Sequence, residues 1–193
     1  VNLTKLFEMQ KVLDDRIVAE KGLQGVDLLD KKILALLTEL GELSNEYRGF
    51  KFWSEEQEPR TTSMKLVSYE VNGELINKAE PYNPLLEEYV DCLHFILSIG
   101  NDRPLNVGGF ELLDKQVISH NINVYTENSI TKQFNCIFKN ITDYKNDYEQ
   151  ESYEGLILRF ISLGEMLGFT TDQIEQAYFE KNKINHERQD TNY

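Results

Sequence analysis

The stretch NPLLEEYVDCLHFILSIG, residues 83 to 100, constrains this chain more than any other. Asn83 suits a helix N-cap, Pro84 the first helical position and Gly100 a stop. Between these signals the residues are apolar on nearly every side. A helix of that kind has no face to give to water, so it belongs at the centre of a bundle. Yet Glu88 and Asp91 lie inside it, three positions apart and therefore on one face, flanked by Leu86, Val90, Leu93, Ile96 and Leu97. Two buried carboxylates without a partner either shift their pKa values upward or destabilise the fold. A cation removes both problems.

A second acidic stripe supplies the other half of such a site. In TELGELSNE, residues 38 to 46, Glu39, Glu42 and Glu46 point one way at helical spacing, beside Leu36, Leu40 and Leu43 that should face a core. Like charges at neighbouring helix positions cost roughly 0.2–0.5 kcal/mol per pair. Taken alone, a solvated polar face explains the stripe. Set opposite Glu88 and Asp91, however, Glu39 and Glu42 complete a four-carboxylate cluster in the bundle interior. Hard oxygen ligands of this kind suit Mg²⁺ or Mn²⁺. A di-iron site is the rival, but it wants Glu-x-x-His on paired helices. No His follows a Glu at that spacing in the core helices, where the local pattern is Asp91-x-x-His94.

The whole chain sets bounds on function. Its 193 residues favour one domain with a sizeable core. With 20 Lys and Arg against 33 Asp and Glu, the formal charge is −13. No basic stripe is available for a phosphate backbone, so direct nucleic-acid binding is not expected. An anionic substrate needs a metal or a few placed cations as intermediaries. Cys92, in an apolar run, reads as a small buried hydrophobe, and with Cys136 it suggests neither a disulfide framework nor a CxxC metal site. No segment is apolar enough to span a bilayer, and the N-terminus is amphipathic, so no signal peptide or membrane partner is expected. The expected location is the cytoplasm.

Helical periodicity dominates the rest. Leu3, Leu6, Leu13 and Ile17, with Met9 and Gln10 between them, predict a first helix to about Ala19, broken by Gly22 and Gly25. Asp27 caps a second helix that carries Asp30 in its first turn and stops near Arg48-Gly49. A loop with an aromatic cluster, FKFWSEEQEPRTTS, leads into KLVSYEVNGELINKAE, whose Asn72-Gly73 is a hairpin signal. Residues 101 to about 150 begin with NDRPLNVGGF and are rich in Asn, Tyr and Lys. They read as a variable insertion or peripheral subdomain in an otherwise single domain, 1–193, with a helix marked by Ile130, Phe134, Ile137 and Ile141. A helix with Leu156, Ile157, Phe160 and Leu163 closes near Gly168. Thr170 and Gln173 form a capping box for a last helix running towards Arg188. The expected fold class is an all-α helical bundle with a four-carboxylate metal site, a short β-hairpin and a variable inserted segment.

An E-x-x-E helix paired with an E-x-x-D helix resembles the all-α nucleoside triphosphate pyrophosphatases, which include MazG-like enzymes and the dimeric dUTPases. LFEMQKVLD, ELGELSNEYRGFKFW, LLEEYVDCLHFILSIG and YFEKNKINHERQ are similar to the dimeric dUTPases, especially the phage-encoded ones. The resemblance covers the core helices and the C-terminal tail, not the hairpin or most of 101–150. It departs at Asn192, where the family often has Gly before the last Tyr.

The resemblance implies a homodimeric dUTP pyrophosphatase of a bacterial host cell that also accepts dUDP. It implies that Glu39, Glu42, Glu88 and Asp91 are catalytic metal ligands for Mg²⁺, with Mn²⁺ as a substitute, and that one of them, here Glu39, orients the attacking water. Lys181, Asn185 and Arg188 match residues that reach the phosphates, with Lys51 in support. Gln10 and Asp14 match readers of the uracil edge, Trp53 a uracil contact, and Phe95 an aromatic that packs on deoxyribose and excludes a 2′-hydroxyl. Read from the residues alone, these tail positions form a solvated face, Trp53 and Phe95 pack in a core, and His94 is a core histidine. Some phage relatives also bind repressors of mobile pathogenicity islands, for which 101–150 is the expected contact surface. The alternatives are a MazG-like pyrophosphatase for another nucleotide such as dCTP, or a non-catalytic interaction protein.

Overall fold

The computed structural model describes residues 1–71, 74–102, 121–147 and 149–191. Among them are six α-helices and one hairpin: α1 (Leu3–Glu20), α2 (Leu29–Tyr47), β1 (Ser63–Val71), β2 (Glu74–Tyr82), α3 (Pro84–Asp102), α4 (Ile130–Asp147), α5 (Gln150–Met166) and α6 (Thr171–Asp190). A 3₁₀ turn, Asn121–Tyr125, precedes α4. The fold is the expected all-α bundle with a short antiparallel hairpin. The Asn72-Gly73 turn, most of NDRPLNVGGF and the departure at Asn192 lie outside the described residues.

α3 is central, as its composition requires. It packs against α1, α2, α5 and α6, and Leu93, Ile96 and Leu97 are fully buried. Asn83 Oδ1 caps it by accepting from the Leu86 amide at 3.1 Å. α2 lies antiparallel to it. Lys32 near the start of α2 donates to Asp102 at the end of α3 (2.7 Å), while Arg60 links Glu46 to Leu85 through its backbone at the other end. The capping box of Thr170 and Gln173 opens α6 as expected.

Two glycines serve other ends than the stops expected of them. α2 does end at Arg48, but Arg48 itself adopts the left-handed conformation, with φ of 63°. Gly49 lies under the Tyr47 ring, 2.5 Å from where a Cβ would stand. Gly100 does not end α3, which continues to Asp102. A Cβ there would meet the Tyr153 hydroxyl and stand 2.6 Å from Tyr153 Cζ and 2.8 Å from a Phe7 ring carbon. Close packing, not chain reversal, requires glycine at both places.

α4 is embedded, not peripheral. Phe134, Ile137, Ile141 and Tyr144 are buried in the same core as α2, α3 and α5. Gln133, fully buried, ties α4 to its neighbours by donating to the carbonyls of Tyr125 (2.9 Å) and Arg159 (2.7 Å). The hairpin instead projects. Its strands pair from Ser63 with Tyr82 to Val71 with Glu74, and Met64 and Leu66 stay exposed.

Candidate active site

α1, α2, α3 and α6 converge on a cleft of about 320 Å³. Three of these helices present the same stripe to it, at spacings of four then three: Gln10, Asp14 and Ile17; Asp91, Phe95 and Ser98; Lys181, Asn185 and Arg188. α2 adds Glu39. The tail helix is held over the cleft by Arg16, which donates to the His186 carbonyl (3.1 Å) and pairs with Asp190 (2.5 Å).

At one end stand the acids. One carboxylate oxygen from each of Glu39, Glu42 and Glu88 lies within 4.8 Å of the others. Asp91 is adjacent but engaged elsewhere: its Oδ2 accepts from the Lys181 ammonium at 2.7 Å, and Glu87 lies 3.6 Å from the same ammonium. Glu46, the third acid of the α2 stripe, is drawn away to Arg60 at 3.2 Å.

The electrostatics suit a cation. Burial, followed by the charges of Asp91, Glu42 and Glu39, pushes the Glu88 pKa up to about 7. Burial and the neighbouring charges of Asp91 and Glu42 raise Glu39 as well. Burial raises Asp91 even though Lys181 pulls it down. A carboxylate set that is self-repelling when ionised, with several oxygens converging, fits a hard divalent cation.

The other end is a buried polar network. Gln10 donates to Asp14 at 2.8 Å, and its amide oxygen accepts from the Tyr178 hydroxyl (2.9 Å) and from His94 Nδ1 (2.7 Å). Lys32 lies 4.0 Å from Asp14 Oδ2. Burial is the chief force raising the Asp14 pKa. Phe95 lines the wall between this network and the acids.

Lys51 and Trp53 are not brought to the cleft. From Glu39 to the end of α2 the chain rises about 12 Å, away from Gln10 and Asp14, before the loop that carries them begins. Trp53 is 66 % exposed and stacks edge-on with Phe50 and Phe52. Lys51 donates to the Asn45 carbonyl at 3.5 Å and lies over the Phe50 ring, 5.7 Å from its centroid. Conversely, His94, Ser98 and Gln189 line the cleft without having been singled out for it. For His94 a signal existed. Gln10 interrupts an apolar stripe and needs a buried polar partner, and His94 is one of few side chains in the apolar core able to supply it.

Compared with known families, the chain matches the dUTPase family over residues 2–69 and 76–193. No curated protein matches it. No helix among the described residues is long and apolar enough to cross a membrane.

Proposed function

Because the chain belongs to the dimeric all-α dUTPase family and is a dUTP diphosphatase, we propose that Glu39, Glu42 and Glu88, joined by Asp91, form its Mg²⁺ site and that the adjoining cleft takes dUTP and dUDP. The observation that carries this is the juxtaposition of three converging carboxylates with a cleft of nucleotide size. Bound there, Mg²⁺, or Mn²⁺ in its place, neutralises phosphate charge and polarises the phosphoryl oxygens.

The chain's own residues do the rest. Glu39, its pKa raised by burial, orients the attacking water and accepts its proton as the water oxygen bonds to the α-phosphorus and pyrophosphate leaves. Lys181 passes from Asp91 to a substrate phosphate, freeing Asp91 for the acid cluster. Arg188 and Asn185 complete the phosphate grip. Phe95 packs on the sugar and leaves no room for a 2′-hydroxyl. Gln10 and Asp14 lie at the base end. The working form is a homodimer.

Pyrophosphate release from dUTP, with Mg²⁺ and with EDTA, tests the reading. Release that EDTA stops supports it. Release that persists in EDTA, or a better turnover of dCTP than of dUTP, would replace it with another pyrophosphatase reading.

A further inference from the structure

We infer that His94 accepts a hydrogen bond from the imide N3–H of the uracil base and thereby distinguishes dUTP from dCTP. The inference rests on the dUTPase reading above. It begins with Gln10, which is 3 % exposed and whose amide orientation its neighbours determine. Asp14 Oδ1, at 2.8 Å, accepts, so the amide nitrogen faces it. The amide oxygen therefore faces the Tyr178 hydroxyl and His94 Nδ1. An amide oxygen only accepts, so Nδ1 carries a hydrogen. Burial, with Lys181 nearby, lowers the His94 pKa to about 3, so the ring is neutral. Its Nε2 then presents a bare lone pair.

That lone pair is unused. Nε2 has no hydrogen-bond partner among the described residues, and His94, 6 % exposed, forms part of the cleft wall. The ring is clamped: Tyr178 stacks on it at 4.3 Å between centroids, nearly parallel. Two other orphaned acceptors line the cleft: Asp14 Oδ2, which has the Lys32 ammonium 4.0 Å away to offset its charge, and Gln189 Oε1, which belongs to the tail helix and not to the Gln10 network. Nε2 has no such offset and calls for a donor.

A deoxyuridine nucleotide has two donors, the base N3–H and the 3′-hydroxyl. A hydroxyl rotates and can be served by water at the cleft mouth. The N3–H is fixed between two carbonyls and travels with the flat base, which Leu13 and Ile17 are placed to flank. Cytosine carries a lone pair at N3, and facing Nε2 it would repel. Nε2 is closed to bulk water as the cleft stands, so base entry must part the wall beside it. A polar site of this kind rejects the wrong partner more strongly than an apolar pocket does.

His94→Asn is the test. Asn retains an N–H where Nδ1 lies, which keeps the Gln10 network, and has no acceptor at the Nε2 position. Calorimetric dissociation constants are measured for dUMP, dCMP and 2′,3′-dideoxy-UMP on the full chain. The expected result is about tenfold weaker dUMP binding with dCMP unchanged, so that the dUMP-to-dCMP preference collapses. The dUMP-to-dideoxy-UMP ratio should stay as in wild type. An unchanged dUMP-to-dCMP ratio, or collapse of the dideoxy ratio instead, would overturn the assignment. Should the variant not fold, ¹⁵N NMR of the wild-type imidazoles decides: the Nδ1–H tautomer, with Nε2 shifting on dUMP but not dCMP, is expected, and an Nε2–H tautomer or an unmoved Nε2 sinks it. The dUTPase reading fails separately, by absence of pyrophosphate release from dUTP.

Discussion

The two sides of α3 solve opposite problems. Towards α5 the packing is so close that glycine is required: a Cβ on Gly164 would lie 2.8 Å from Tyr89 Cζ, and Gly100 is as confined. The buried tyrosines there are satisfied, Tyr153 donating to the Ile96 carbonyl at 2.8 Å and Tyr89 to the Phe160 carbonyl at 3.2 Å. Towards α1, α2 and α6 the same helix presents Glu88, Asp91 and His94, whose pKa values are displaced first by burial and then by neighbouring charges, and orphaned acceptors. One side holds the fold together. The other is kept out of its own electrostatic optimum, as a site that waits for a charged ligand must be.

Breaking the acid side should cost the most activity. Glu42→Gln should reduce dUTP turnover by at least about a hundredfold, the scale of losing one charge-stabilising group, while thermal unfolding stays close to wild type. Asp91→Asn should behave alike. Turnover within a few-fold of wild type in either variant would detach the cluster from the chemistry.

Breaking the α4–α5 side should cost stability instead. Phe134→Ala, 4 % exposed in the native chain, should lose about 3–5 kcal/mol. Gly100→Ala should lose about 1–3 kcal/mol by overpacking against Tyr153 and Phe7. Replacing residues 104–148 by a short linker removes Phe134, Ile137, Ile141 and Tyr144 together and should leave no cooperative unfolding transition. Denaturant titration checks all three. A folded, active deletion variant would show that α4 is dispensable, as its polar flanks suggest from sequence.

A finer distinction lies in pH. Glu88 has a folded pKa of about 7 against an ordinary 4.5, so the folded, metal-free chain binds the extra proton between those values. Its contribution is present at low pH and lost as pH rises through 7. His94 runs the other way: with a folded pKa of about 3 against 6.5, it costs stability as pH falls below 6.5. Mg²⁺ must displace the Glu88 proton, so Mg²⁺ affinity measured by calorimetry should rise from about pH 5 to about pH 8, with proton release. Affinity that is flat over that range would remove Glu88 from the ligand set.

The smallest effect is expected outside both sides. Trp53→Ala should change stability by less than about 0.5 kcal/mol, since the ring is 66 % exposed. The KM for dUTP should move less than about threefold, which is about 0.65 kcal/mol. A larger rise in KM would restore the uracil contact that the resemblance implies.

Much of this is legible in the sequence. The all-round apolar run at 83–100 dictates a central helix, and three-residue spacing alone puts Glu88 with Asp91 and Glu39 with Glu42. The capping residues Asn83 and Thr170 act as written. What sequence does not carry is distance between far-apart positions. Nothing local shows that Lys181 takes up Asp91, that Gln10 meets His94 across 84 residues, or that Trp53 sits at the wrong end of α2. Gly100 misleads because a glycine needed for close approach looks like one needed for a stop. α4 looks peripheral because its exposed face, not its buried one, dominates its composition.

The central claim is that Glu88 is destabilising without a metal and needed with one. Thermal unfolding of wild type and Glu88→Gln at about pH 8, each in EDTA and in Mg²⁺, tests it directly. In EDTA the variant should melt at or above wild type, because a self-repelling carboxylate has been neutralised. Mg²⁺ should raise the wild-type transition and leave the variant where it was. A variant that melts below wild type in EDTA, or that gains as much from Mg²⁺ as wild type does, would contradict the account.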